Sequence, residues 1–541
     1  MPRGPLARPE KCWLAGGAAT RYDGRTRMSA QVPDTTADDA ASQAVETIAV
    51  HAAHQATDVA TAARNALKLA GSLLATWTVA LAVRFQLPRH LGPIHFGNFN
   101  FCDSFSAAFF VFLGLGVETY IQKEVPVRPK HVSDFFGGVL VVRAVLSVLV
   151  LAMMATVLAV TGRPTELQLT VLIFGLTQAV MGFNLSIAAM LQASTHVGPL
   201  AAMNVVSKLL WGFGVAIGIW LDVPLAVLAI PNLVAESLKA MVLFPSARAA
   251  VGLKLHVAFA PVKKVLLASL PFYVNAIAIN LGARLDVSML EFLAPGEEVG
   301  WYSAANNFAT LAMLFSPVVN WVLMPLFARA KHRSEDRFYE MLRRAIEGLL
   351  VLAIPVTLLI GIGADFWVRI AFGKSFGPAA LSLRCLAPLF VATYLTLMMA
   401  LALVVLERSW RLTIVSLIGL GVLPIFILVL VPITKSIGPG WAGAGAALGV
   451  TVMELLTAAM FIYTVGRRAL DRRNVLAVLK SIGVALVVIA LHQTLAFMGP
   501  LRLIVDMLAY AVLALAVGAV RLNEAIAVIK LVRSERKAKA T

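Results

Sequence analysis

The sequence predicts an all-α polytopic membrane protein with about 14 transmembrane helices. They are arranged as two six-helix lobes related by a pseudo-two-fold axis along the membrane normal, plus two C-terminal helices. Three observations carry this expectation. Of the 541 residues 59% are hydrophobic and 14% charged, against roughly 25% charged in soluble domains. The apolar residues fall in runs of the ~20 residues that a helix needs to cross a bilayer. A short motif also recurs: Leu91-Gly92-Pro93-Ile94-His95-Phe96-Gly97-Asn98-Phe99 reappears as Leu293-Ala294-Pro295-Gly296-Glu297-Glu298-Val299-Gly300-Trp301-Tyr302. Gly97 and Gly300 are each followed by an aromatic at +2 (Phe99, Tyr302) and a phenylalanine at +8 (Phe105, Phe308). These glycines lie 203 positions apart, an interval holding about six apolar runs. An even number of spans keeps a duplicated unit in the same orientation, which places the symmetry axis along the membrane normal.

The elements follow in order. Residues 1–60 are rich in Ala, Thr, Asp and Gly and contain no run long enough to span. They read as a disordered cytoplasmic leader with helical potential from Ser42 onward. Met28-Ser29-Ala30-Gln31 looks like an ordinary soluble start, which makes residues 1–27 an upstream misreading of the initiation site; peptides before Met28 in the native protein would refute that. The N-terminal lobe covers 61–246, with spans at 67–86, 98–118, 134–160, 167–191, 200–221 and 224–246. A basic linker, 247–264, follows. The C-terminal lobe covers 265–464, with spans at 265–290, 301–327, 345–364, 380–404, 411–432 and 441–464. Two additional spans, 476–496 and 501–521, lie within 465–522, and 523–541 form a basic cytoplasmic tail. The stretch 328–344 has the spacing of an amphipathic surface helix (Phe338, Met341, Leu342, Ala345). Pro271, Pro317, Pro325, Pro355, Pro388 and Pro424 break several spans from within. Hinges are one reading of them; ordinary kinks, whose freed backbone groups neighbours satisfy, are the favoured one. Gly445 and Gly449, four apart, read as a close helix–helix contact.

A net charge of +17 points to nucleic acid only in a soluble protein. Here the cations concentrate in alternate loops: Arg248, Lys254, Lys263 and Lys264; Arg329, Lys331, Arg333 and Arg337; Arg467, Arg468, Arg472 and Arg473. The other loops hold scattered ones such as Arg89, Arg163, Lys374, Lys435 and Arg502. This bias places both termini in the cytoplasm. The basic tail then meets anionic lipid rather than nucleic acid. Cys12, Cys102 and Cys385 have neither metal nor redox spacing. The pattern calls for no cofactor and no metal.

Ionisable residues inside the hydrocarbon are costly and therefore mark candidate sites. Arg143 and Lys208 lie deep in their spans and face a cavity or a buried partner; Arg84 and Arg284 occupy corresponding regions of the first and seventh spans. The competing reading of Arg84 and Arg284 is snorkelling toward the outer surface. These four are the candidate substrate-binding residues: a cation-lined cavity favours an anion, and Arg holds phosphate oxygens bidentately. Glu236 and Lys239, three apart, form a structural pair. Asp286 and Glu454 are the coupling candidates. Asn275, Asn280, Asn306, Asn307 and Asn320 read as packing amides. Glu291, Glu297 and Glu298 read as a solvated loop, and no catalytic constellation appears.

The run from Leu87 to Asn98, then Gly114-Leu115-Gly116 and Tyr120-Ile121-Gln122-Lys123-Glu124, resembles a known family, as do Asp286–Leu290, Val299–Ala305 and Met324–Arg329. Over about 65–520 the chain is similar to the polysaccharide transporter (oligosaccharide flippase, Wzx type) family of the multidrug/oligosaccharidyl-lipid/polysaccharide exporter superfamily. The resemblance implies a bacterial inner-membrane transporter with two six-helix lobes around a cavity. It implies a polyprenyl-pyrophosphate-linked oligosaccharide as the substrate, turned from the inner to the outer leaflet, with a polymerase or glycosyltransferase as partners. It implies that cavity cations such as Arg84, Arg143, Lys208 and Arg284 hold the pyrophosphate. Related peptidoglycan precursor flippases use a sodium site built partly on the eleventh span. Here that span, Arg411–Pro432, has no Asp, Glu or Asn to supply hard oxygen ligands. A drug/cation antiporter would call for acidic cavity residues. A membrane glycosyltransferase or polymerase would call for paired carboxylates on a loop or outer domain.

Overall fold

The computed structural model describes residues 37–125, 128, 131–255, 257–294, 296–311, 316–466 and 468–518. Every regular element among them is helical. The chain divides into two compact units at Ala63 and Arg64. In the first, residues 37–63 are helical, being the start of α1 (Ala37–Phe110). The helix expected from Ser42 onward lies in this stretch, where alanine, the best helix former, recurs. The Met28 start-site reading lies outside the described residues.

The second unit holds the membrane body. Among the described residues, ten stretches are long and apolar enough to cross a membrane. They comprise α3 (Val132–Val160), α4 (Thr165–Ala193), α5 (Val197–Trp220), α6 (Leu225–Val251) and α10 (Glu335–Ile362). With them stand α12–α13 (Ala379–Leu386, Leu389–Val405), α14 (Ser409–Lys435), α15 (Trp441–Val465), α16 (Arg472–Thr494) and the segment ending in α17 (Arg502–Ala516). The other four expected spans fall mostly on helical residues too: 67–86 and most of 98–118 in α1 and α2 (Val117–Glu124), 265–290 in α7 (Phe259–Leu293), and 301–327 in α8 (Glu297–Ala309) and α9 (Ser316–Arg333). The chain reverses inside α1 at Gly92, whose φ of 70° and ψ of 175° suit a residue without a Cβ.

The stretch expected as a surface helix over 328–344 forms the end of α9 (Ser316–Arg333) and the start of α10. α9 continues to Arg333, Ser334 caps the next helix by accepting from the Arg337 amide, and α10 then runs unbroken to Ile362. Phe338 and Leu342 are fully buried there. One element went unread: α11 (Ala364–Phe372), a short helix between α10 and α12 with Ala364, Val368 and Phe372 buried.

Helices α2–α6 pack on one another, joined by the second half of α1, which shares a core with α3 and α4; α8–α15 form the other set, and α7 belongs to both. Its first half lies against α2 and α3: a Cβ at Gly116 would stand 2.7 Å from the Ser269 oxygen, and the Tyr273 hydroxyl donates to the Phe112 oxygen at 2.8 Å. Its second half lies against α14 and α8, with Val287 and Leu290 in the core they share. α14 and α15 meet closely where the glycine spacing predicts. A Cβ at Gly445 would fall 2.2 Å from the Thr434 hydroxyl and 3.1 Å from the Leu430 oxygen. α16 and α17 pair with each other and lie on α10 through Ile354, Leu358, Val484 and Val488.

The apolar cores differ between the two ends. At the end carrying Arg89, Arg163 and Lys435, a core shared between the sets joins Val83, Leu87, Phe96, Val215 and Leu228 to Val287, Tyr302, Phe372, Phe376 and Leu383, beside a second core of α1, α3 and α4 around Phe101, Leu158 and Phe174. At the other end two separate cores form. One comprises α2–α6 with Val262 and Val265 of α7; the other joins α9, α10, α13, α14 and α15.

Candidate functional site

The recurring motif is where the two helix sets touch. A Cβ at Gly97 would stand 2.7 Å from the Gly300 nitrogen and 2.9 Å from the Gly296 oxygen; a Cβ at Gly300 would stand 1.9 Å from the Pro93 oxygen. The contact is reciprocal, since each glycine meets the residue four before its counterpart. Around it the aromatic residues of the motif cross over. Phe308 packs against Phe85 and Phe372 at 5.6 Å between centroids, Phe105 against Phe292 at 6.3 Å, and Phe96 against Phe376 at 6.1 Å. Polar clasps lie beside them. Arg89 donates to the Ala371 and Ile370 carbonyls, which end α11 where a cation complements the helix dipole.

Beneath this closed end three of the four predicted cations converge. Arg84 of α1 donates to the Thr310 hydroxyl at 3.0 Å, just past α8. Arg284 of α7 pairs with Asp103 of α1 at 3.1 Å, and both remain about a third or more exposed (42% and 32%). The Arg284 and Asp103 charges both act on Arg84. Lys208 of α5 lies with its ammonium 4.0 Å from the centre of the Trp211 ring, a cation–π contact. It is within electrostatic reach of Arg84, Asp103 and Glu236. With Lys239, the partner of Glu236, four cations stand against two carboxylates, which leaves the group net positive. Arg84 and Arg284 keep accessible surface.

Arg143 is placed differently. Its guanidinium, 8% exposed, pairs with Glu118 at 2.6 Å and donates to the Ser186 hydroxyl and to the Gly114 and Gly182 carbonyls. It ties α2, α3 and α4 together, apart from the cation group. Glu236 pairs with Lys239 at 3.8 Å and accepts from the Asn184 amide at 2.7 Å, the structural pair that the spacing predicts.

The coupling candidates lie apart from each other. Asp286 is buried and accepts from the Tyr302 hydroxyl at 2.5 Å, so a carboxylate of α7 is held by the aromatic of the second motif copy. Glu454 of α15 lies beside Thr396 of α13. Two of the three loop glutamates are not solvated. Glu291 is 1% exposed and paired with Arg163 at 2.5 Å. Glu298 accepts from the Gly440 and Gly443 amides at 2.6 and 2.8 Å, capping the start of α15. A turn at the junction of two helix sets is roofed by both, and short-range composition does not reveal that. Asp103 was also missed as a site member. It lies near a span end in sequence, and only its pairing with an arginine 181 positions away draws it inward. Among the described residues no group of three or more His, Cys, Asp or Glu could hold a metal ion.

Residues 62–331 match a family model described as polysaccharide biosynthesis protein. The chain belongs to that family. This polysaccharide biosynthesis family member is a multi-pass membrane protein. Its fold is similar to that of the lipid II flippase MurJ in an inward closed conformation, with a TM-score of 0.64 and 12% identity over 84% of this chain and 98% of that one. It is similar also to a multidrug resistance MATE family transporter of the MOP superfamily in an inward-facing conformation, with a TM-score of 0.54 and 13% identity over 71% and 97%. The Vibrio cholerae MATE transporter VcmN in the bent form gives a TM-score of 0.51 and 13% identity over 76% and 97%. At such identities the likeness concerns the fold alone. No curated protein matches the chain.

Proposed function

We propose that this protein is a lipid-linked oligosaccharide flippase. It moves a glycan joined to undecaprenyl pyrophosphate from the inner to the outer leaflet of a bacterial inner membrane, for O-antigen, capsule or exopolysaccharide synthesis. The observation that carries this reading is the convergence of Arg84 and Arg284 around Asp103, with Lys208 within electrostatic reach and cations in excess of carboxylates. A phosphate charge cannot enter hydrocarbon cheaply, so a carrier must replace its hydration with fixed cations. Arg284 is already paired with Asp103, and a pyrophosphate would compete with that carboxylate for the guanidinium. Arg143, satisfied by Glu118, holds the scaffold of the first helix set rather than the substrate.

The mechanism is alternating access between two six-helix lobes, with α16 and α17 as the added pair and both termini in the cytoplasm. The reciprocal contact at Gly97 and Gly300 supports a two-fold relation, because an axis passing between two copies makes each touch the other in the same way. A core shared by both helix sets at the outer end, against unshared cores at the inner end, accords with an inward-facing state. Head group and glycan enter from the cytoplasm while the polyprenyl chain stays in lipid. Rocking of the lobes then opens the Gly97–Gly300 seal. Asp286 and Glu454 are the candidates for proton coupling, Asp286 through its bond to Tyr302 at the seal. A polymerase or glycosyltransferase would consume the product outside.

The test is the sidedness of lipid-linked oligosaccharide in the native host after controlled depletion. Accumulation on the cytoplasmic leaflet, with loss of surface glycan, is expected, and mass spectrometry then identifies the sugar. Unchanged sidedness with no intermediate would sink the proposal.

A further inference from the structure

We propose that Arg163 and Glu291 form a latch across the outer seal whose strength sets how often that seal opens. The inference rests on the alternating-access reading above and adds to it the residues that control one of its two gates.

Arg163 stands in the turn between α3 and α4, where its amide donates to the Leu158 carbonyl at 3.1 Å and its own carbonyl accepts from Gln168 at 2.8 Å. A fixed backbone thus aims the side chain at the last turn of α7. There one guanidinium nitrogen meets the Glu291 carboxylate at 2.5 Å and another meets the Glu291 carbonyl at 3.3 Å. The guanidinium carbon lies 5.6 Å from the centre of the Phe101 ring and 5.4 Å from that of Phe292, so the ion pair is flanked by one ring from each helix set. Those rings meet edge to face at 5.9 Å. Glu291 is 1% exposed and Arg163 18%. Phe101 belongs to α1, and the end of α7 shares its core with α8, so the pair spans the joint that must part when the outer side opens.

The chemistry suits a gate better than a permanent joint. Bringing two charges out of water is costly, and their mutual attraction roughly offsets that cost only when the geometry is good. When the joint parts, both ions regain water, so the open state is not penalised as it would be by bare apolar surface. A purely apolar joint at the same place would release nothing on opening and would stay shut.

The experiment is a spin-label distance between Thr161→Cys and Lys374→Cys, two exposed outer positions on the two helix sets. It uses the full chain in nanodiscs with the native cysteines replaced. The wild type should show mainly the short distance. Arg163→Ala and Glu291→Gln should each raise the long-distance fraction, roughly tenfold relative to the short one, the shift expected when a two-state element loses one such contact. Arg163→Lys, which keeps the charge but not the planar stacking, should fall between and serves if the alanine variant does not fold. The double variant Arg163→Met/Glu291→Leu should stay short and lose export. Monodisperse single variants with the wild-type distribution would overturn the latch alone. A single short distance in every protein, including one wedged open by Gly300→Trp, would overturn alternating access itself.

Discussion

At the scale of the residue, the cations divide by what they touch. Arg284 shares its charge with a half-exposed aspartate and remains available, whereas Arg143 is consumed by Glu118, Ser186 and two carbonyls. The two should therefore fail differently. Arg284→Ala is expected to impair export more than Arg284→Lys, in a glycan-export assay with protein levels matched; equal, wild-type export from both would remove Arg284 from the site. Arg143→Ala leaves Glu118, 23% exposed, with Ser186 as its remaining donor, so the loss should fall short of the about 3–5 kcal/mol that breaking a fully buried pair costs. Its melting temperature in detergent should drop markedly, while Arg143→Ala/Glu118→Ala recovers part of the loss. The deep positions of Arg143 and Lys208 were legible in the sequence, but their division of roles was not. Depth in a span says that a charge needs company, and only the neighbouring helices say whether that company is a glutamate or a cavity.

At the scale of the element, the motif glycines are spacers between helices rather than flexible points. Gly300→Ala would drive a Cβ to 1.9 Å from a backbone oxygen that cannot rotate away. Overpacking of this kind costs about 1–3 kcal/mol, here charged to the closed outer end. The expected outcome is a rise in thiol labelling at that end. Gly348→Ala in α10, where nothing lies within 4 Å, should instead be neutral or gain about 1 kcal/mol from helix propensity, so a similar labelling rise in both would refute the spacer role. The apolar runs made the long helices legible, because nothing else explains ~20 residues without charge. The short α11 and the continuation of α9 and α10 over 328–344 were hidden. Amphipathic residues read the same whether they lie on lipid or on another helix.

At the scale of the whole molecule, the twofold echo in the sequence told where the halves meet before it told how. The same glycines that identify the repeat are the ones in contact, since a residue pinned by its own symmetry mate cannot take a side chain. The added pair α16–α17 carries its polar contacts mostly within itself. His492 meets Asp506 at 2.5 Å, and Arg502 reaches the His492 carbonyl. Among the described residues, Asn474 reaches a helix elsewhere, donating to the Arg343 carbonyl at 3.3 Å. Removing everything after residue 471 therefore exposes chiefly apolar surface of α10 to lipid, which solvates it as well as a helix does. The truncated protein should stay monodisperse by size-exclusion chromatography. Aggregation would mean that the pair is part of the structural core.

The double allegiance of α7 bears on how such proteins can be recombined. A chimera spliced in the loop at 252–258 would hand the first set of helices a foreign partner at Ser269 and Tyr273, because those residues travel with the second half of the gene. A splice near Ala278 would let each half keep the part of α7 shaped to fit it. Gene fusions between relatives should thus survive when the crossover falls inside this helix, and fail when it falls at the loop that looks, in sequence, like the seam.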